Sequence, residues 1–135
     1  MKNRTYSFIF LLVFILLGAS FADKETLKGV WEFQGGIYNG KKEGAPTEFT
    51  LKRKYNTKHF EAFAIEKKNK PEKYEAGDYI LKGDTCIETE TYSSRPSKLT
   101  GIPISYLYSI RNDTLTLKAT LPTGMTVVEY WKRIK

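Results

Sequence analysis

The chain holds one cysteine and one histidine in 135 residues, and that scarcity excludes several kinds of chemistry. A lone Cys86 rules out an internal disulfide, so the core must hold without a covalent brace. With no His or Cys-x-x-Cys neighbour to lower its pKa, Cys86 reads as a small buried hydrophobe rather than a reactive thiol. A structural zinc site needs three or four nitrogen or sulfur ligands, which His59 and Cys86 cannot supply. Any Ser-His-Asp or Cys-His arrangement would have to be built on His59, beside a hairpin tip. Asp78, Asp84 and Asp113 fall in separate turns or strand ends, without the close oxygen spacing of a calcium loop. The sequence is therefore read as that of a non-enzyme with no metal and no cofactor. Helical periodicity is also missing after residue 22, apart from a possible turn at Lys24 to Lys28, and there is no internal repeat or low-complexity tract.

Charge is unbalanced but not extreme: 22 basic against 15 acidic residues give +7, with the two signs interspersed. Lys67, Lys68, Lys70 and Lys73 cluster around Pro71, where a solvated loop is the simpler account than a nucleic-acid groove. The N-terminus has the three parts of a secretory signal. Lys2 and Arg4 precede the apolar run Phe8 to Leu17, and small residues end at Ser20-Phe21-Ala22. Ten apolar residues before Gly18 are too few for a bilayer span of about 20. Residues 1–22 are thus expected to be a cleaved signal peptide, and residues 23–135 one exported domain, periplasmic or extracellular and without a membrane span. A mature chain of 113 residues is enough for one core and too short for two.

Eight segments alternate in polarity or are rich in β-branched and aromatic residues: 29–38, 47–55, 58–66, 77–82, 85–92, 103–111, 114–121 and 125–134. Asn39-Gly40, Gly83-Asp84 and Asn112-Asp113 are pairs that tolerate the positive φ of tight hairpin turns. Pro122-Thr123-Gly124 gives another turn, and Tyr55-Asn56-Thr57 a weaker one. Two longer loops are expected, the polar stretch Lys67 to Ala76 and Ser93 to Ile102. Short sequential strands predict an all-β fold, an eight-stranded antiparallel up-and-down barrel, with a β-sandwich as the alternative.

Period-2 alternation puts Glu129, Trp131 and Arg133 on one face of the last strand. If that face points inward, Glu129 or Arg133 could anchor the polar end of a ligand, or the two could form a salt bridge that plugs the barrel. Glu88, Glu90 and Tyr92 raise a similar question, with an exposed face as the commoner arrangement. Ile104, Tyr106, Tyr108 and Ile110 share one face, where rings can stack on a ligand or simply pack. Asn112-Asp113-Thr114 also reads as a glycosylation sequon, but is taken as a turn.

The first strand opens Gly29-Val30-Trp31 and the last closes Glu129-Tyr130-Trp131-Lys132-Arg133. This resembles the lipocalin arrangement, in which the Trp of Gly-x-Trp closes one barrel end beneath a basic residue of the final strand. The resemblance gives Trp31 the first role and Arg133, or else Lys132, the second. From Leu27 to Lys135 the chain is similar to small secreted lipocalin-like domains of bacteria. The residues that carry this are Gly77-x-Tyr79-x-Leu81, Gly83-Asp84-Thr85 with Glu88, Tyr92-Ser93, Asp113-Thr114-Leu115, Pro122-x-Gly124, and Glu129-x-Trp131-x-Arg133. That family implies a barrel without an established activity. The usual motif after the sixth strand and the helix after the last are missing, which counts against transport of ordinary lipocalin ligands.

A barrel with alternating aromatics predicts a bound small hydrophobic or amphipathic molecule. The expected contacts are Trp31, Phe33, Glu88, Tyr106, Tyr108, Glu129, Trp131 and Arg133. The alternative is a filled barrel that binds a protein or cell-envelope component through its outer surface. A cavity of roughly 300 Å³ or more separates the two.

Overall fold

The computed structural model describes residues 26–134, and the expected signal peptide lies outside them. Nine strands run in order: β1 (Gly29–Tyr38), β2 (Lys41–Gly44), β3 (Phe49–Tyr55), β4 (His59–Glu66), β5 (Glu72–Lys82), β6 (Thr85–Ser93), β7 (Pro103–Arg111), β8 (Thr114–Thr120) and β9 (Thr126–Ile134). Each strand from β3 to β8 pairs antiparallel with the next, and β1 pairs with both β3 and β9. The result is a closed eight-stranded up-and-down barrel with β2 as an additional strand. Among the described residues no helix is long and apolar enough to cross a membrane.

Turn chemistry sets this order. Asn39 and Gly40 (φ 50° and 81°), like Asn112 and Asp113 (φ 50° and 57°), adopt the left-handed pair that matches strand twist in a two-residue hairpin. The first of these turns has a consequence the alternation pattern did not predict. It folds the polar segment Lys41–Gly44 back onto Gly35–Tyr38 as β2, so only Gly29–Glu32 remain to pair with β3. Phe49, Thr50 and Leu51 therefore have no partner on β1, and the barrel wall is split at that end.

The stretch expected to be a ten-residue loop, Lys67 to Ala76, is corrected: Glu72 to Ala76 belong to β5. Its Lys and Glu content reads as solvated, but pairing with β4 overrides the weak local preference. Register shifts between Ala62 and Phe63 and between Ala76 and Gly77 bulge this part of the wall. Of the possible turn at Lys24 to Lys28, Thr26 to Lys28 are not helical and the rest lies outside the described residues.

The opposite end is packed shut. Trp31 is fully buried, and Leu27, Tyr55, Phe60, Tyr79, Cys86, Leu115 and Leu117 surround it in one cluster. The Trp31 Nε1–H donates to the Leu27 carbonyl at 2.8 Å. Trp31 and Arg133 are register partners across β1 and β9, with the guanidinium 4.2 Å from the indole centroid. Arg133 also donates to the carbonyls of Thr26 and Lys28, at 2.7 and 3.0 Å. Gly29 makes room for this: its φ is +134°, and a Cβ there would meet Arg133 Nη1 at 3.0 Å.

Candidate functional site

Above the packed end the inward faces do not meet, and a cavity of about 290 Å³ remains. Alternation along β3 turns Leu51, Arg53 and Tyr55 inward, although Lys52 and Lys54 give the segment an exposed look. Phe60 comes from β4, Glu88 from β6, Ile104 and Tyr106 from β7, and Val127, Glu129 and Trp131 from β9. Phe33 joins them from β1, its ring 5.1 Å from that of Trp131.

The floor is a buried ion pair. Arg53 and Glu88 are only 5% and 4% exposed, and their side chains are in direct contact. Glu88 also accepts the Tyr55 hydroxyl at 2.5 Å. Phe60 lies beneath the guanidinium, with Cζ 4.4 Å from its ring centroid. Burial pushes the Glu88 carboxyl above the usual carboxylate range, while Arg53 and the Tyr55 hydroxyl oppose it. The arginine stays charged, because Glu88 offsets its burial.

Three further carboxyl groups line the wall. Glu129 accepts the Tyr38 hydroxyl at 3.0 Å, and Glu90 accepts Thr100 Oγ1–H at 2.7 Å. Glu75, on the bulged part of β5, completes the set. Burial raises the pKa of Glu75 and Glu129, with Arg53 opposing in both cases. The tyrosines stay protonated: burial pushes Tyr74 up to about 12, and Tyr38 and Tyr106 higher. Burial, and after it Glu88, also raises the Cys86 thiol, which leaves little thiolate for chemistry. Two buried donors, Arg53 Nε and Trp131 Nε1, have no hydrogen-bond partner among the described residues. Leu51 and Tyr74 line both this cavity and an outer recess of about 440 Å³ next to the split in the wall.

Of the eight residues expected to contact a ligand, Phe33, Glu88, Tyr106, Glu129 and Trp131 line the cavity. Trp31 and Arg133 do not: they seal the packed end. Tyr108 faces a separate cleft of about 240 Å³ beside Thr26, Leu27 and Tyr79. The salt bridge imagined between Glu129 and Arg133 gives way to two other contacts, Glu129 with Tyr38 and Arg133 with Trp31. Glu88 is buried, not part of an exposed face. His59 contacts Asp78 on the exposed surface, away from the cavity lining.

Arg53, Tyr38, Tyr74 and Glu75 were not anticipated. For Arg53 a signal existed, since Leu51 and Tyr55 flank it at period 2 and mark an inward face. Glu75 and Tyr74 were hidden by the reading of their segment as a loop.

Neither known protein families nor functionally characterised proteins match the chain. Among solved structures, a mutant of the fluorescent protein UnaG aligns with 81% of this chain and 96% of that one, at 13% identity and a TM-score of 0.42.

Proposed function

We propose that this is a small exported binding protein of lipocalin-like design, which holds one small amphipathic molecule in its barrel and catalyses nothing. The observation that carries this reading is the half-open internal cavity. One end of the barrel is packed solid, whereas the other keeps about 290 Å³ of space and two unpartnered buried donors. That volume lies at the lower bound of ligand sites, roughly 300 Å³, and the adjoining recess extends it toward solvent. The lining combines apolar walls with a few convergent polar groups, the composition that orients a small molecule. A barrel that works only through its outer surface gains nothing from buried charges that cost stability.

Native mass spectrometry of protein purified under mild conditions from its own host tests this. An added mass that disappears on solvent extraction is expected, and Leu51→Trp, which fills the mouth, should abolish it while circular dichroism stays unchanged. A bare mass from the host, together with no uptake of small amphipathic probes, would overturn the reading. Export has its own check: the mature protein should begin at Asp23 on N-terminal sequencing, and retention of Met1 to Leu17 would contradict it.

A further inference from the structure

Granting a small-molecule cavity, its charge defines the class of ligand. Four carboxyl groups line it, those of Glu75, Glu88, Glu90 and Glu129, against one basic side chain, Arg53. Arg53 is already in contact with Glu88, and Glu90 is held by Thr100 at the exposed side. Glu75 and Glu129 are left facing the cavity with no contact ion pair among the described residues and feel Arg53 only at longer range. In a chain of net charge +7, an acid surplus inside the barrel is a local arrangement and not a by-product of composition.

A cluster of acids alone would not name a ligand, but the wall carries a second requirement. Trp131 is 2% exposed, and its Nε1–H has no acceptor. An unmade buried hydrogen bond costs about 1–3 kcal/mol, and an indole N–H can only donate. The occupant that answers both demands carries a positive group for the carboxylates and a neutral oxygen for the indole. Among the described residues no three His, Cys, Asp or Glu are placed to hold a metal ion, and an organic cation is the partner that these carboxyl groups and the apolar wall suit. Phe33, Tyr74 and Tyr106 also line the cavity, and an ammonium is attracted to the face of such a ring.

We propose that the cavity selects a small aromatic or aliphatic amine bearing a hydroxyl or carbonyl oxygen near its ammonium. The ammonium sits between Glu75 and Glu129, and the oxygen accepts from Trp131 Nε1. An acid of the same size would add a further negative charge to Glu75 and Glu129; Arg53 Nε is an open donor, but the charge of its guanidinium is already offset by Glu88.

Isothermal titration of the purified protein with three probes of one skeleton tests the assignment: phenylethanolamine, the uncharged styrene glycol and the anionic mandelate. The amine should bind about tenfold or more tighter than the glycol, and mandelate weakest. Glu129→Gln and Glu75→Gln should remove the amine's advantage and leave the glycol unchanged, a readout that loss of fold would not produce. Trp131→Phe should bring phenylethanolamine down to the level of phenylethylamine, which lacks the oxygen. If styrene glycol or mandelate binds as tightly as the amine, the amine assignment fails while the carrier reading stands. If none of the three binds and the protein carries no mass from its host, both fail.

Discussion

Replacing Arg53 with methionine keeps a side chain of similar length but removes the charge on the cavity floor. Glu88 would then lie 4% exposed, with the Tyr55 hydroxyl as its remaining close donor. Breaking a buried pair from one side costs about 3–5 kcal/mol, because the abandoned charge stays desolvated. Contact of the guanidinium with the Phe60 ring at 4.4 Å adds about 0.5–2 kcal/mol. A domain of this size has roughly 5–15 kcal/mol in total, so the loss is about a quarter or more of its stability. With a urea m-value of about 1.5 kcal/mol/M, the midpoint should fall by about 2–5 M. Glu88→Met should cost a similar amount by stranding Arg53. The combination Arg53→Met, Glu88→Met and Tyr55→Phe removes both charges and the hydroxyl that would lose its acceptor. It should recover to within about 1–2 kcal/mol of the parent. Single losses below about 1 kcal/mol, or losses that simply add in the combination, would show that Arg53 and Glu88 are not a mutually dependent buried pair.

At the packed end, Trp31→Ala should cost roughly 3–5 kcal/mol, and a double-mutant cycle with Arg133→Ala should give a coupling of about 0.5 kcal/mol or more; additive losses would deny the stacking. Gly77→Ala should destabilise by about 3 kcal/mol in urea unfolding, since the new Cβ would lie 2.1 Å from the Thr89 carbonyl oxygen and 2.8 Å from the Phe60 ring; a neutral effect would mean that the bulge yields freely. Burial raises the folded-state pKa of Glu129, with Arg53 and the Tyr38 hydroxyl opposing. Its favourable contribution is therefore fully present below the unfolded value and lost as pH rises through the raised one. Glu129→Gln, which mimics the protonated form, should raise the urea midpoint near neutral pH, with the gain shrinking as pH falls toward about 4; a gain that grows on acidification would reverse the sign.

The eight strands of the barrel, their sequential pairing and the meeting of Trp31 with Arg133, though not the additional β2, could be read from the sequence. They depend on local signals: Asn-Gly and Asn-Asp turns, period-2 alternation, and the need of a closed barrel to join its first strand to its last. The polar half of the site was less legible because burial of charge is decided by partners far apart in sequence. Leu51 and Tyr55 mark the inward face on which Arg53 lies, but nothing near Lys52-Arg53-Lys54 shows that the cation meets an acid 35 residues away. Glu75 was concealed by a lysine- and glutamate-rich stretch that extends into a strand because β4 and β6 supply its hydrogen bonds. Tyr108 was misplaced for a simpler reason: alternation tells which face a ring is on, not which end of the barrel it reaches.

The chain has two tryptophans, Trp31 in the packed end and Trp131 two register positions further along the paired strands, where the cavity begins, and they supply the most direct test of a ligand cavity. Trp131 lines the cavity and its Nε1–H has no hydrogen-bond partner among the described residues, whereas Trp31 Nε1–H is tied to Leu27 at the packed end. In a ¹⁵N–¹H correlation spectrum, titration with phenylethanolamine should shift the Trp131 indole resonance in a saturable way and leave that of Trp31 in place. Saturable movement of Trp31 alone, or no movement of either indole with phenylethanolamine or with the molecule carried from the host, would contradict a binding site in the open half of the barrel.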